Sequence, residues 1–328
     1  MVRESDFQPA WWLRNHHLQT MAAKFLRKRL VVETFTEVLE LPDGDFVDIS
    51  WTEQINNDDP RPLAVVLHGL EGSKDSHYAK GMLLALKKAG FVAVLMHFRG
   101  CSGRPNRLAR AYHSGETGDI HFFTEYLQSQ FPNKPMALVG FSLGGNVAVR
   151  YLAQYPNNPY RAAAVVCAPL DLASCSRFIN SGSSKIYQSY LLNMLKASTT
   201  IKIEQGLIDH LTPNQVAEID HMWQFDDLVT APLHDFNGAA DYYQKASGGP
   251  VLSEIKQPCL VIHAQDDPFL SHSDIVKFAD VPEHVEFEVS KRGGHVGFIA
   301  GSNPFKPNYW LEPRVTGYLR QYFNFSQS

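Results

Sequence analysis

The chain is 328 residues long, 44% hydrophobic and 20% charged, which supplies apolar mass for one large core and fits a single α/β domain with an insertion rather than two domains. Its formal net charge of −4, with no basic run longer than Arg27-Lys28-Arg29, excludes a nucleic-acid binder and leaves that run as a solvated face. No apolar run reaches the ~18 residues of a membrane span, and residues 1–19 are broken by Arg3, Glu4, Asp6, Pro9 and Arg14. Neither a signal peptide nor stable membrane insertion is therefore expected, and the protein reads as soluble and cytoplasmic. Cys101, Cys167, Cys175 and Cys259 show no CxxC spacing and read as reduced, mostly buried thiols.

Residues 1–30 read as a segment packed on the core. Trp11 and Trp12 precede a helical pattern; without a basic polar face matched to a long apolar one, the pair is expected to anchor the segment on the domain rather than on a membrane. From Val31 to Thr52, β-forming residues flank Pro42-Asp43-Gly44-Asp45, predicting an antiparallel hairpin at a sheet edge. Pro62 to His68 is the first fully apolar strand, and Tyr78, Met82, Leu83 and Leu86 mark a helix that Gly90 stops. Phe91–Phe98 is a second strand, and Ile120, Phe123, Tyr126 and Leu127 mark the next helix. Another strand ends at Gly140, a helix follows over Leu143–Gln154, and Arg161–Ala168 is strand again. Apolar strands alternating with amphipathic helices predict a parallel sheet covered on both faces, with the first part of the core over 31–172. Residues 173–251 carry mixed helical pattern and many aromatics; too long for a loop, they predict an inserted helical lid. The second part of the core, 252–328, holds strands Pro258–His263 and His284–Val289, the latter expected to be the last, and a terminal helix over about 313–322.

The chemistry concentrates at Gly140-Phe141-Ser142-Leu143-Gly144-Gly145-Asn146. A Gly-x-Ser-x-Gly between a strand and a helix is the nucleophile elbow of α/β-hydrolases. It exposes the serine hydroxyl at a helix start, where the Leu143 N–H is free for an oxyanion. In open α/β sheets the site lies beyond the carboxyl ends of the strands, and these ends supply His68-Gly69-Leu70, Ser142, Asp266-Asp267 and His295. A serine hydroxyl needs a base to take its proton, and His295, flanked by Gly293, Gly294 and Gly297, can reach over the sheet to do so. A carboxylate from Asp266 or Asp267 would fix the imidazole tautomer. The order serine, acid, histidine is that of the α/β-hydrolases. The Leu70 N–H is expected to complete the oxyanion hole, and His68 to shape its loop rather than move protons. Asp75 with His77, or Asp209 with His210, lack a further convergent ligand, and no Walker loop or dinucleotide fingerprint is present; no metal and no cofactor are expected.

His68-Gly69-Leu70-Glu71-Gly72, Phe98-Arg99-Gly100-Cys101-Ser102-Gly103, Gly140 to Asn146, Asp266-Asp267-Pro268-Phe269 and Gly293-Gly294-His295-Val296-Gly297-Phe298 together resemble the YheT-like branch of the α/β-hydrolase superfamily, AB-hydrolase family 4. Asn15-His16-His17-Leu18-Gln19-Thr20 extends the resemblance over nearly the whole chain. It implies the α/β-hydrolase fold, with a mostly parallel sheet, an N-terminal hairpin and a helical lid. It also implies a serine hydrolase of small-molecule carboxylic esters with Ser142, Asp267 and His295 as triad. The resemblance places the acid at the Asp267-Pro268 step, with Asp266 as the fallback. An aromatic-rich lid suggests an apolar pocket for medium-chain or amphipathic acyl groups. The same triad would serve a thioesterase, lysophospholipase or acylglycerol lipase. A binding protein on this fold is the non-enzyme alternative, against which the complete set of nucleophile, acid and base argues.

Overall fold

The structure is a computed structural model that describes residues 2–325. Strands β1 (Val2–Glu4), β2 (Phe35–Glu40), β3 (Phe46–Trp51), β4 (Leu63–Leu67), β5 (Val92–Met96), β6 (Met136–Phe141), β7 (Tyr160–Val166), β8 (Cys259–Ala264) and β9 (Val285–Ser290) form one nine-stranded sheet. Its order is β1-β9-β8-β7-β6-β4-β5-β3-β2. Pairing is parallel from β1 through to β5, and the β2–β3 hairpin joins β5 antiparallel.

Side chains alternate across a strand, so the apolar runs feed two cores. Leu63, Val65 and Leu67 point to the face covered by α3 (Gly118–Gln130) and α4 (Leu143–Gln154), meeting Phe123, Leu127, Val147 and Leu152. Ala64 and Val66 point to the other, under α2 (His77–Lys88) and the C-terminal helix Leu311–Arg320, where Met82, Leu86, Val315 and Leu319 close the layer. Gly90, at φ +93°, turns the chain from α2 into β5, a conformation glycine adopts without a Cβ clash.

Between β7 and β8 the chain folds as helices. α5 (Leu172–Ile179) and α6 (Lys185–Glu204) are the first, followed by short helical pieces that include a π-helical turn over Asp226–Thr230 and the helix Ala239–Ala246. These pack through their own apolar clusters, one around Leu192, Ile208 and Phe225, another around Leu172, Tyr242 and Tyr243.

The structure departs from the sequence-based expectation in three places. β9 is not the last strand: β10 (Ile299–Ala300) and β11 (Asn308–Tyr309) follow as a short antiparallel pair. β1 adds an edge strand beside β9 that no pattern announced, because so short a segment has no measurable period. Of the two tryptophans, Trp12 joins the cluster of Ala10, Leu13, Ala23 and Ile299, whereas Trp11 stays 64% exposed. The segment is held down mainly by Phe7, Leu13 and helix α1 (His16–Leu26).

Candidate active site

The turn from β6 into α4 holds Ser142 at φ +51°, ψ −122°, outside the regions an L-residue ordinarily occupies. Close approach makes the flanking glycines necessary: a Cβ on Gly140 would lie 2.5 Å from the Gly144 carbonyl oxygen, and one on Gly144 would collide with the His68 carbonyl oxygen. The Ser142 N–H donates to the Val166 carbonyl at 2.8 Å, fixing the turn against β7.

Three of the residues expected from the sequence converge here. His295 Nδ1 lies 2.8 Å from Asp267 Oδ2, and His295 Nε2 lies 3.0 Å from Ser142 Oγ. A carboxylate only accepts, so the imidazole proton belongs on Nδ1, and Nε2 is left as acceptor for the serine hydroxyl. Asp267 Oδ1 takes the Phe269 N–H at 2.8 Å, and the Phe269 ring stacks on His295 with centroids 4.0 Å apart and planes at 4°. Asp266 is turned elsewhere. Its Oδ1 accepts the Gly294 N–H at 2.9 Å, and burial raises its carboxyl above the usual range.

The loop that carries His295 is shaped by α1, a role the sequence left unassigned. Asn15 caps the helix by accepting the N–H groups of His17 and Leu18 at 2.9 and 3.2 Å. Thr20 Oγ1 accepts the His295 N–H at 2.9 Å. Gln19 is fully buried: its Nε2 donates to the carbonyls of Leu13 and Ile299 at 2.8 and 2.9 Å, and its Oε1 accepts the Ile299 N–H at 2.7 Å. The available signal was a glutamine and a threonine side by side in a helix with apolar neighbours. Cys167, buried at the end of β7 with φ +52°, accepts the Val296 N–H at 3.5 Å. Burial, and then the neighbouring Asp267, hold its thiol well above the usual range.

Ser142, Leu70 and Leu143 share the lining of one cavity of about 270 Å³. The Leu70 loop is fixed by His68, whose Nε2 accepts the Phe98 N–H at 3.0 Å and whose Nδ1 therefore donates to the Gly69 carbonyl at 2.7 Å. Burial pushes the His68 pKa down to about 3, so the ring is a neutral strut. Tyr78 Oη accepts the Gly69 N–H at 2.8 Å.

Farther in, Leu172, Ile179, Leu195, Ile208, Phe225 and Val229 make the cavity apolar. Its polar wall residues are mostly engaged. Lys202 Nζ donates to the carbonyls of Leu108, Ala109 and Arg110 at 3.0, 3.0 and 2.9 Å. Asp226 accepts Tyr243 Oη at 2.5 Å and Thr230 Oγ1 at 2.7 Å, and burial pushes its carboxyl up to about 6. His113, Glu116 and His234 bring donor atoms within 4.8 Å of one another, but Glu116 is already paired with Arg110, whose charge opposes a cation there.

A serine on a strand–helix turn, faced by a histidine and an aspartate from beyond the ends of later parallel strands, is the arrangement found on α/β-hydrolase folds. A family model described as alpha/beta hydrolase fold matches residues 62–302, and the chain belongs to that family. It is 44% identical over 97% of its length, and 94% of the relative's, to "Putative esterase YheT" of Escherichia coli. To a protein named monoacylglycerol lipase of Saccharomyces cerevisiae it is 30% identical, over 75% of this chain and 57% of the yeast protein. Among solved structures, the Pyrococcus furiosus esterase Pf2001 shares the fold with a TM-score of 0.56 and 16% identity, over 91% of this chain and 96% of that one.

Proposed function

We propose that the protein hydrolyses carboxylic esters through an acyl-serine intermediate. The observation that carries this reading is the hydrogen-bonded run from Asp267 through His295 to Ser142, whose side chain lines an apolar cavity. His295 Nε2 takes the proton as Ser142 Oγ attacks the ester carbonyl carbon. The N–H groups of Leu143 and Leu70 receive the negative charge that develops on the carbonyl oxygen. Collapse of that intermediate expels the alcohol, which takes the proton back from His295. A water deprotonated by His295 then attacks the acyl carbon, releasing the acid and free Ser142. Asp267 keeps Nδ1 protonated and stabilises the imidazolium formed at each step.

The cavity beside Ser142 fits an acyl group rather than a charged one, since its lining is largely apolar and its charged side chains Lys202 and Asp226 are engaged by the protein itself. This apolar depth, together with the name of the yeast relative, favours a lipid-type acyl ester of medium chain length as substrate. A p-nitrophenyl ester series from acetyl to palmitoyl tests both parts. Turnover should peak at one intermediate length, and Ser142→Ala and His295→Ala should each lower kcat by at least ~10⁴-fold. Turnover that survives both substitutions would overturn the assignment.

A further inference from the structure

Helix α1 turns one side inward to hold the His295 loop and another outward, and the outward side is apolar. Leu18, Met21 and Phe25 are 52%, 39% and 68% exposed and, at spacings of i, i+3 and i+7, form one stripe. Lys24, on the flank of that stripe, donates to Tyr190 Oη of α6 at 3.2 Å, and His17 reaches Tyr187 Oη at 3.0 Å and Ser183 Oγ at 2.9 Å. α6 continues the exposed apolar track through Ile186 and Tyr190, 74% and 53% exposed, to Ile201. Ile201 lines the cavity, as do the exposed Ser198 and the loop residues Gly103 to Pro105. The track therefore leads along the molecular surface from α1 to the cavity mouth.

The charge at the α1 end of the track is one-sided, whereas at the other end Glu204 is exposed one turn beyond Ile201 and Glu71 accepts from Ser198 Oγ at 3.2 Å. No aspartate or glutamate occurs between Asp6 and Glu33. In that interval Arg14, Lys24, Lys28 and Arg29 are exposed, while Arg27 is spent on a buried pair with Glu312. This basic flank beside an apolar stripe corrects the expectation that residues 1–30 have no such matched faces; the pairing becomes visible only once the fold shows which side chains of α1 face outward. On a chain of net charge −4 it is a local feature.

We propose that α1 and the exposed side of α6 form a docking face for an anionic lipid bilayer, on which the protein lies with its cavity mouth against the membrane surface. Apolar side chains flanked by lysine and arginine on a helix lying in the surface plane are what an interface of acyl chains under anionic headgroups takes up. A second copy of the chain suits the face less well, because pairing it with itself would set the same cations against one another. The face lies on the surface and does not span: among the described residues no helix is long and apolar enough to cross a membrane. That the bound protein draws its substrate from the bilayer rests on the esterase reading above; the docking itself does not.

Flotation of the full chain with vesicles tests the docking without any use of activity. The parent protein should float with vesicles of phosphatidylcholine and phosphatidylglycerol in equal parts and stay behind with phosphatidylcholine alone. Combined Leu18→Ser, Met21→Ser and Phe25→Ser should abolish flotation. Combined Lys24→Gln, Lys28→Gln and Arg29→Gln should weaken it about a hundredfold, because each cation near an anionic surface contributes about fivefold to partitioning. Circular dichroism and thermal melting like the parent's should show that both variants are folded. A parent that never floats, equal flotation on both vesicle types, or variants that float as the parent does would overturn the proposal. So would a dimer that dissociates when the three apolar residues are changed, which would assign the face to a second copy. If docking holds but no ester is cleaved, only the esterase reading falls.

Discussion

Asp266 and Asp267 are chemically the same side chain, and the turn after β8 gives them different partners. Asp267 holds the imidazole, whereas Asp266 holds the backbone of the loop that carries it. Asp267→Asn should lower kcat ~10⁴-fold, since an amide can leave the histidine in the wrong tautomer. Asp266→Asn should cost no more than about tenfold, because an amide oxygen still accepts the Gly294 N–H. Steady-state kinetics on one soluble ester separates the two, and equal losses would sink the assignment. Ser142 was legible in the sequence because its backbone requirement leaves glycines at fixed offsets. The choice between the aspartates was not, because nothing in Asp266-Asp267 says which way each side chain turns; only the family pattern favoured the second. Gln19 and Thr20 act across nearly the whole length of the chain, and no local pattern encodes a partner that distant.

Elements with a single period were read closely: α4 spans Leu143–Gln154 as its apolar spacing predicts, and β8, Cys259–Ala264, lies one residue along from the expected Pro258–His263. The helical region between β7 and β8 was legible only as mixed pattern, since it is built of short pieces and a π-helical turn, which have no common repeat. That turn sets Asp226 among Tyr243 and Thr230 under the cavity wall, and its burial has a measurable consequence. The folded-state pKa of Asp226, about 6 against an ordinary 3.8, means that the folded protein binds the extra proton between those values. Its contribution to stability is therefore full below about pH 4 and lost as pH rises through about 6, a change on the order of 3 kcal/mol. Urea unfolding of the parent and of Asp226→Asn across pH 4 to 7 should differ by a slope of this sign, present only in the parent. Parallel pH profiles would refute it.

At the scale of the whole molecule, one buried guanidinium joins parts that the chain separates widely. Arg99 Nε and Nη2 grip Asp119 of α3, both at 2.7 Å, while Nη1 reaches Asp43 at 2.7 Å and Asp45 at 3.1 Å in the turn between β2 and β3. The side chains of Arg99, Asp45 and Asp119 are all buried. Arg99→Met should destabilise the fold by about 3–5 kcal/mol, since it strands carboxylates that water cannot reach. Scanning calorimetry should show this as a lowered Tm, and a Tm within a degree or so of the parent's would mean that the carboxylates find solvent after all. The sequence marked Phe98 to Gly103 as a motif, but its ion partners lie on elements whose docking only the tertiary structure defines.

The pairing of β1 with β9 and the clasp of α1 on the His295 loop also impose a timetable on biosynthesis. Ser5 donates to Glu288 across 283 positions of sequence, so a segment made well before its partner strand is among the last to find its place. At ~5–20 residues added per second, it waits roughly 15–60 s on the ribosome for its partner strand. Throughout that interval the apolar side of α1 is open to chaperones, and His295 has not yet been synthesised. The nascent chain can thus complete the central β4–β7 strands early, before β1 meets β9 and before α1 meets the loop of His295.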